Sequence, residues 1–125
     1  MRRLIGLSAG LGLVLALSAG PAWAGDAEAG KKVFNKCKAC HDLAAGKNKI
    51  GPSLHGLMGR AAGTAEGFKY SDAMADSGLT WDEATLDQYL ADPKGFIPGN
   101  KMVFVGVKKD DQRADVIAYL KEATQ

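Results

Sequence analysis

Apolar residues recur at helical spacing in three parts of this 125-residue chain. The first part predicts a helix over residues 26–38, with Asp26 as its N-cap. Its apolar face holds Val33 and Phe34, and Gly30 lies on the same face one turn earlier. We therefore expect this helix to bury that face in the core of the domain.

The second part predicts a helix that begins at Thr80 and is ended by Pro93, which cannot donate a backbone hydrogen bond. The stretch from Thr80 to Glu83 has the spacing of a capping box. Apolar residues then follow at helical spacing, namely Leu86, Tyr89 and Leu90. The expected helix thus has a defined start, an apolar face and a defined end.

The third part predicts a final helix that Asp110 or Asp111 caps and that runs to Glu122. Its apolar stripe consists of Val116, Ile117, Tyr119 and Leu120. Residues 72–77 could add one or two helical turns, whereas glycines and Pro52 break the pattern over residues 42–67. The chain is therefore expected to be a single small all-α domain with long loops.

The first 24 residues have the layout of a secretory signal peptide, with two arginines, an apolar run over residues 4–20 and Ala-Trp-Ala at 22–24. The run has 17 residues, fewer than the ~20 that a membrane-spanning helix needs. An uncleaved anchor is the alternative. We expect cleavage after Ala24, which leaves a domain over residues 25–125 and indicates export to a bacterial periplasm.

Loss of the leader also changes the charge. The full chain has 16 basic and 14 acidic residues, and removal of Arg2 and Arg3 leaves 14 of each. A nucleic-acid-binding domain of this size would carry a basic excess, so that class is set aside.

The only two cysteines, Cys37 and Cys40, lie three apart, and His41 follows directly. A disulfide, a thioredoxin-like redox pair and a zinc site are possible interpretations of such a pair. However, no strand pattern flanks the motif, and a zinc site would need all of these residues plus His55. The C-x-x-C-H pattern favours a covalent haem c, because a helical turn puts both thiols on one side of a porphyrin and His41 at the iron.

The residue on the other side of the iron then decides the function, since an open position permits gas binding or peroxide chemistry. The candidates are Met58, Met74, Met102 and His55. Met58 and Met74 fit the usual role of methionine as core filler. Met102 is favoured because Pro98 stiffens its loop and Gly99 turns it, and His55 is the second choice.

Five segments resemble successive parts of class I cytochrome c: GKKVFNKCKACH, GPSLHGLMGR, GFKYSDAM, LTWDEATLDQYLADPKGFIPGNKMVF and RADVIAYLKEAT. The resemblance is greatest to the mitochondrial cytochrome c and bacterial cytochrome c2 group. It covers the chain after the leader in order, and it implies three to five helices wrapped around one covalent haem c.

The resemblance also implies roles for individual residues. Cys37 and Cys40 form the thioethers, and His41 and Met102 are the axial ligands. The carbonyl of Pro52 accepts the second imidazole N–H. The resemblance implies that three residues hold the haem propionates, namely Arg60, Tyr70 and Trp81. It also implies that Tyr89 is the tyrosine beside the methionine sulfur.

Two residues depart from the mitochondrial pattern. Met74 stands where an asparagine is usual in the haem crevice, and Asn100, expected near the cofactor, stands where a threonine is usual. We expect Met74 to make the crevice drier, to disfavour the more charged ferric state and so to raise the potential.

The function implied is a one-electron carrier without enzyme activity, monomeric and not inserted into a membrane. Its implied partners are a cytochrome bc complex as donor and a terminal oxidase or photosynthetic reaction centre as acceptor. A peroxidase-like enzyme or a gas sensor is the alternative if Met102 does not bind. Lysines in segments expected around the haem edge would steer docking: Lys36, Lys38, Lys47, Lys49, Lys94, Lys101, Lys108 and Lys109.

Overall fold

The computed structural model describes residues 10, 12–13 and 24–125, and within them the chain forms five α-helices and no β-strand. The helices are α1 (Ala27–Phe34), α2 (Asp72–Ala75), α3 (Glu83–Ala91), α4 (Pro93–Phe96) and α5 (Asp110–Ala123). The predicted all-α architecture is confirmed. The expected leader falls almost entirely outside the described residues. No helix in the described part of the chain is long and apolar enough to cross a bilayer.

Helix α1 begins where predicted, because the Asp26 carboxylate accepts the backbone N–H groups of Glu28 and Ala29 at 2.9 and 3.4 Å. Its predicted end at Lys38 is wrong, since the helix ends at Phe34. Beyond that residue, three successive N–H groups bond to carbonyls only three positions earlier, which tightens the chain into turns. This tightening leads the chain directly into the cysteine motif.

Helices α1 and α5 cross at Gly30. A Cβ at this position would collide with the backbone carbonyl of Asp115 and would lie 2.9 Å from the Cβ of Tyr119. The rings of Phe34 and Tyr119 pack one turn further along, with centroids 5.2 Å apart. The backbone N–H of Asp26 also donates to the Asp115 carboxylate at 2.8 Å. This crossing joins the two ends of the domain.

Helix α3 has its N-cap two residues later than the cap expected at Thr80. Thr80 forms an isolated antiparallel bridge with Ala61, and the next residue, Trp81, donates its N–H to the Arg60 carbonyl at 2.9 Å. This extended pairing excludes helical backbone at both positions. Asp82 is the N-cap instead, and its carboxylate accepts the N–H of Thr85 at 2.7 Å.

Pro93 does more than the sequence predicts. Helix α3 ends at Ala91, before the proline, and Pro93 then opens the short helix α4, where its fixed φ angle suits the first turn. The Asp92 carboxylate caps this second start by accepting the Gly95 N–H at 3.1 Å. The segment between Pro93 and the Met102 loop therefore contains one helical turn.

Helix α5 begins at Asp110, and neither aspartate is its N-cap, so that prediction is wrong. The cap residue is Lys109, without a side-chain hydrogen bond. Asp110 pairs instead with Arg113 at 2.7 Å, and Arg113 also contacts Asp87 of α3 at 2.5 Å. The Arg113 guanidinium is buried and donates to the Val107 carbonyl at 3.0 Å, so it ties α5, α3 and the loop between them together.

Candidate haem site

The core opens on one side into an apolar cleft with a cavity volume of about 240 Å³. Side chains from α1, α3, α5 and the loops between them form its walls. All ten residues expected at the site from the sequence line this cleft, namely Cys37, Cys40, His41, Pro52, Arg60, Tyr70, Trp81, Tyr89, Asn100 and Met102. Residues as far apart in sequence as 37 and 102 are thus brought to one place.

The cysteine motif forms the helical turn that the spacing predicts. The N–H of His41 donates to the Cys37 carbonyl at 2.9 Å, and the N–H of Cys40 donates to the same carbonyl at 3.1 Å. Both thiols are free and half-buried. Burial, together with the charge of Cys40, raises the pKa of Cys37. The Cys37 sulfur therefore lies at the cleft as a neutral thiol, and Cys40 lines the same cleft.

One ring nitrogen of His41 is already engaged. Its Nδ1 lies 2.8 Å from the carbonyl oxygen of Pro52, which accepts the Nδ1 proton. Burial lowers the pKa of His41, and the charges of Arg60 and Lys49 add to the effect, although the Pro52 hydrogen bond opposes it. The neutral imidazole consequently has Nε2 unprotonated and available as a metal ligand.

Gly51 packs directly on the ring of His41. A Cβ at Gly51 would lie 2.5 Å from Cε1 of the imidazole and within 2.9 Å of both ring nitrogens. Any larger residue would displace the ring from its hydrogen bond with Pro52. The sequence analysis missed this glycine, although its position immediately before Pro52 was a signal that the backbone approaches another group closely there.

Met102 enters the cleft from the loop that follows α4. The hydroxyl of Tyr89 lies 3.7 Å from the Met102 sulfur and donates to it. Tyr89 is itself buried on α3, with its ring 5.1 Å from that of Trp81, and burial raises its pKa to about 12. The phenol is therefore neutral and remains a donor over the whole physiological range.

Asn100 lines the cleft, but its amide is fully occupied by backbone groups. Its Nδ2 donates to the carbonyls of Pro93 and Ile97 at 2.7 and 2.8 Å, and its Oδ1 accepts the N–H of Met102 at 2.9 Å. Only the position of Asn100, and not these contacts, was expected from the sequence.

A second group of polar side chains lies at the cleft. The Arg60 guanidinium donates through Nη1 to the carbonyls of Ser53 and His55. Its Nε is buried and has no hydrogen-bond partner, which is true of no other buried side-chain nitrogen or oxygen in the described part of the chain. The Tyr70 hydroxyl accepts the Ala65 N–H at 2.9 Å and keeps its own proton to donate. An anionic group here would satisfy the orphaned Nε.

The other candidate ligands are distributed unequally. His55 is exposed, and neither it nor Met58 lines the cleft, whereas Met74 does. Among the residues that the structure describes, no group of three or more histidine, cysteine or acidic side chains could hold a metal ion. A zinc site at Cys37 and Cys40 is therefore disfavoured, also because zinc needs thiolates whereas the pKa of Cys37 is raised.

These features fit a flat apolar macrocycle with acidic substituents. The cleft supplies apolar walls, two thiols that can form thioethers, an imidazole and a thioether sulfur, and an unpaired buried donor for a carboxylate. The fold and the site together define a c-type cytochrome.

Comparison with known proteins agrees with this class. The family model described as cytochrome c matches residues 27–124. Cytochrome c2 iso-2 of Magnetospirillum fulvum is 67% identical over 88 residues, which are 70% of this chain and 92% of that protein. Cytochrome c2 of Blastochloris viridis is 53% identical over 110 residues, 87% of each chain. The solved structure of cytochrome cH from Methylobacterium extorquens is 54% identical, with a TM-score of 0.74, and the match covers 78% of this chain and 99% of that one.

The chain belongs to the cytochrome c family, and cytochromes c2 are among its relatives. It is an electron-transfer protein rather than an enzyme, and its cofactor is haem c attached through Cys37 and Cys40.

Proposed function

We propose that this cytochrome is a periplasmic carrier of single electrons, with His41 and Met102 as the two axial ligands of its haem iron. The observation that carries the proposal is the presence of both side chains in one cleft, each fixed by a hydrogen bond. Pro52 holds His41 at 2.8 Å, and Tyr89 contacts the sulfur of Met102 at 3.7 Å. Two fixed ligands leave no position at which a small molecule can react.

When bound, haem c supplies a one-electron couple between ferric and ferrous iron. The side chains of the protein set the reduction potential of this couple. The Pro52 carbonyl increases the basicity of the His41 imidazole, whereas a soft thioether at Met102 favours the ferrous state. A histidine and methionine pair therefore gives a higher potential than two histidines.

Arg60, Tyr70 and Trp81 are the residues proposed to hold the propionates. The buried Nε of Arg60 and the free proton of Tyr70 are the donors that support this role. Burial of a carboxylate beside a guanidinium is favourable because each charge satisfies the other. Trp81, buried at the cleft wall, completes the set.

The proposed partners are a cytochrome bc complex as donor and a terminal oxidase or photosynthetic reaction centre as acceptor. All eight lysines expected around the haem edge are exposed, and Lys36 and Lys101 line the mouth of the cleft. Acidic residues concentrate in residues 72–87, where two of them are engaged in ion pairs, Glu83 with Lys121 and Asp87 with Arg113. The exposed lysines at the mouth of the cleft support electrostatic steering of a monomer to acidic docking sites.

Periplasmic location rests on the leader proposed over residues 1–24, with the mature domain over residues 25–125. The start of the described helix agrees with a domain that begins here, because Asp26 caps α1 and bonds to Asp115. N-terminal sequencing of the exported protein tests this part, with Gly25 expected as the first residue.

The optical spectrum of the purified ferric holoprotein tests the ligand assignment. We expect a weak far-red band from sulfur on ferric iron, lost in Met102→Ala and retained in Met58→Ala and His55→Ala. Loss of the band in Met58→Ala instead, or its absence from the wild type, would reassign the sixth ligand and reopen peroxidase-like or gas-binding functions.

A further inference from the structure

The backbone of Met102 is held as well as its sulfur. Its N–H donates to Asn100 Oδ1 at 2.9 Å, and the same amide donates through Nδ2 to the carbonyls of Pro93 and Ile97. Asn100 is 7% exposed, so no solvent replaces these bonds when one is lost. The amide thus joins the methionine loop to both ends of helix α4.

The three contacts use the whole donor capacity of the asparagine side chain. Both hydrogens of Nδ2 are spent on backbone carbonyls, and none remains for a propionate or another group in the cleft. Asn100 lies at the cofactor cleft, but its polar atoms are directed to the protein backbone. Its effect on a bound haem must therefore pass through Met102.

We propose that Asn100 is a positioning residue for the axial methionine, which keeps the Met102 sulfur at the iron by fixing the backbone two residues away. The inference rests on the proposed ligation by Met102 and adds to it the element that resists ligand loss. Because Asn100 holds the backbone beside the sulfur, a competing ligand must work against this constraint to displace the methionine.

The chemistry of the amide predicts a graded response. Leucine has a similar size but makes none of the three hydrogen bonds, and it leaves the carbonyls of Pro93 and Ile97 unpaired. Threonine can donate one hydrogen bond and accept another. The strength of the methionine bond should therefore decrease from asparagine through threonine to leucine.

Asn48 offers a matched control. Its amide also bridges two backbone groups, since Oδ1 accepts the Ser53 N–H and Nδ2 donates to the Glu66 carbonyl, both at 2.9 Å. These contacts lie in the loops after the cysteine motif rather than beside Met102. Asn48→Leu should reduce thermal stability without loosening the methionine.

The experiment titrates the ferric holoproteins with imidazole and follows the far-red band as the methionine is displaced. We expect imidazole to bind about tenfold more tightly to Asn100→Leu and about threefold more tightly to Asn100→Thr, because each lost hydrogen bond weakens retention of the methionine. The affinity of Asn48→Leu should stay within about twofold of the wild type, because its lost hydrogen bonds do not hold Met102.

An imidazole affinity of Asn100→Leu equal to that of the wild type, or an equal gain in Asn48→Leu, would overturn the inference. If Asn100→Leu yields no holoprotein, unchanged affinity in Asn100→Thr overturns it in the same way. A wild type that lacks the far-red band contradicts the His41 and Met102 ligation itself, whereas a normal wild type with an unaffected Asn100 variant contradicts only the role of Asn100.

Discussion

The Tyr89 hydroxyl lies 3.7 Å from the Met102 sulfur, at the inner wall of the cleft. A hydrogen bond to a thioether withdraws electron density from sulfur and so makes it a weaker donor to ferric iron. Removal of this donor should stabilise the ferric state. Tyr89→Phe is therefore expected to lower the midpoint potential by ~20–60 mV, the equivalent of one modest hydrogen bond in a one-electron couple.

Redox titration of Tyr89→Phe and the wild type at pH 7 checks this expectation. Tyr119→Phe is the control, because that ring packs on Phe34 at the helix crossing and does not line the cleft. An unchanged or higher midpoint in Tyr89→Phe would show that the hydroxyl does not act on the sulfur.

The same buried phenol predicts a loss of stability in alkali. Burial raises the pKa of Tyr89 to about 12 in the folded protein, whereas the pKa of an unfolded tyrosine is about 10. Below the lower value the phenol is neutral in both states. Between the two values only the unfolded state loses its proton, so the free energy of unfolding should fall by ~2–3 kcal/mol from this group.

Denaturant unfolding at several pH values from about 9 to about 12 measures this loss. The free energy of unfolding of Tyr89→Phe should fall by ~2–3 kcal/mol less than that of the wild type over this pH range. Parallel curves for the two proteins would mean that Tyr89 ionises at its ordinary pKa in the folded state.

Gly51 is expected to be indispensable for the orientation of His41. The Cβ of Gly51→Ala would lie 2.5 Å from Cε1 of the imidazole, so the ring must turn away from Pro52. We expect a loss of ~1–3 kcal/mol in stability, the range for overpacking, together with a lower yield of holoprotein. Gly46→Ala is the comparison, since a Cβ there meets open space and costs only the strain of its positive φ.

Thermal unfolding and the haem content of both purified variants decide this prediction. Equal stability and equal haem content of Gly51→Ala and Gly46→Ala would show that contact with the imidazole imposes no constraint on residue 51.

Met74 is expected to raise the potential because it brings an apolar side chain into the cleft where the family pattern has asparagine. Met74→Asn adds a dipole that can stabilise the ferric charge, so the midpoint should fall by at least ~20 mV. Met58→Asn is the matched control, since Met58 packs against the core without lining the cleft. A rise or no change in Met74→Asn alone would contradict the drier-crevice interpretation.

The sequence indicated which residues line the cleft more closely than it indicated the helix boundaries. The C-x-x-C-H spacing and the family resemblance indicated ten residues, and all ten lie among those that line the cleft. Local sequence patterns gave the wrong helix boundary where tertiary contacts determine the backbone conformation. Thr80 has the spacing of a cap, yet it pairs with Ala61, and the extended backbone through Trp81 moves the cap of α3 to Asp82.

Contacts with backbone groups could not be predicted from the sequence, because they too depend on tertiary structure. The spacing of Asn100 and Met102 gives no indication that one amide also reaches Pro93 and Ile97. The close contact between Gly51 and His41 depends on how two loop segments meet, although the glycine itself was a hint. Sequence patterns report periodicity and motif chemistry, whereas these constraints arise only when distant segments close the cleft.

The central claim is that His41 and Met102 close the iron from both sides, so that only electrons enter and leave. Carbon monoxide binding to the dithionite-reduced holoprotein at pH 7 tests it most directly, with Met102→Ala as the open-site comparison. We expect no carbon monoxide spectrum from the wild type and rapid, tight binding by the variant. Rapid, tight uptake by the wild type would contradict the claim.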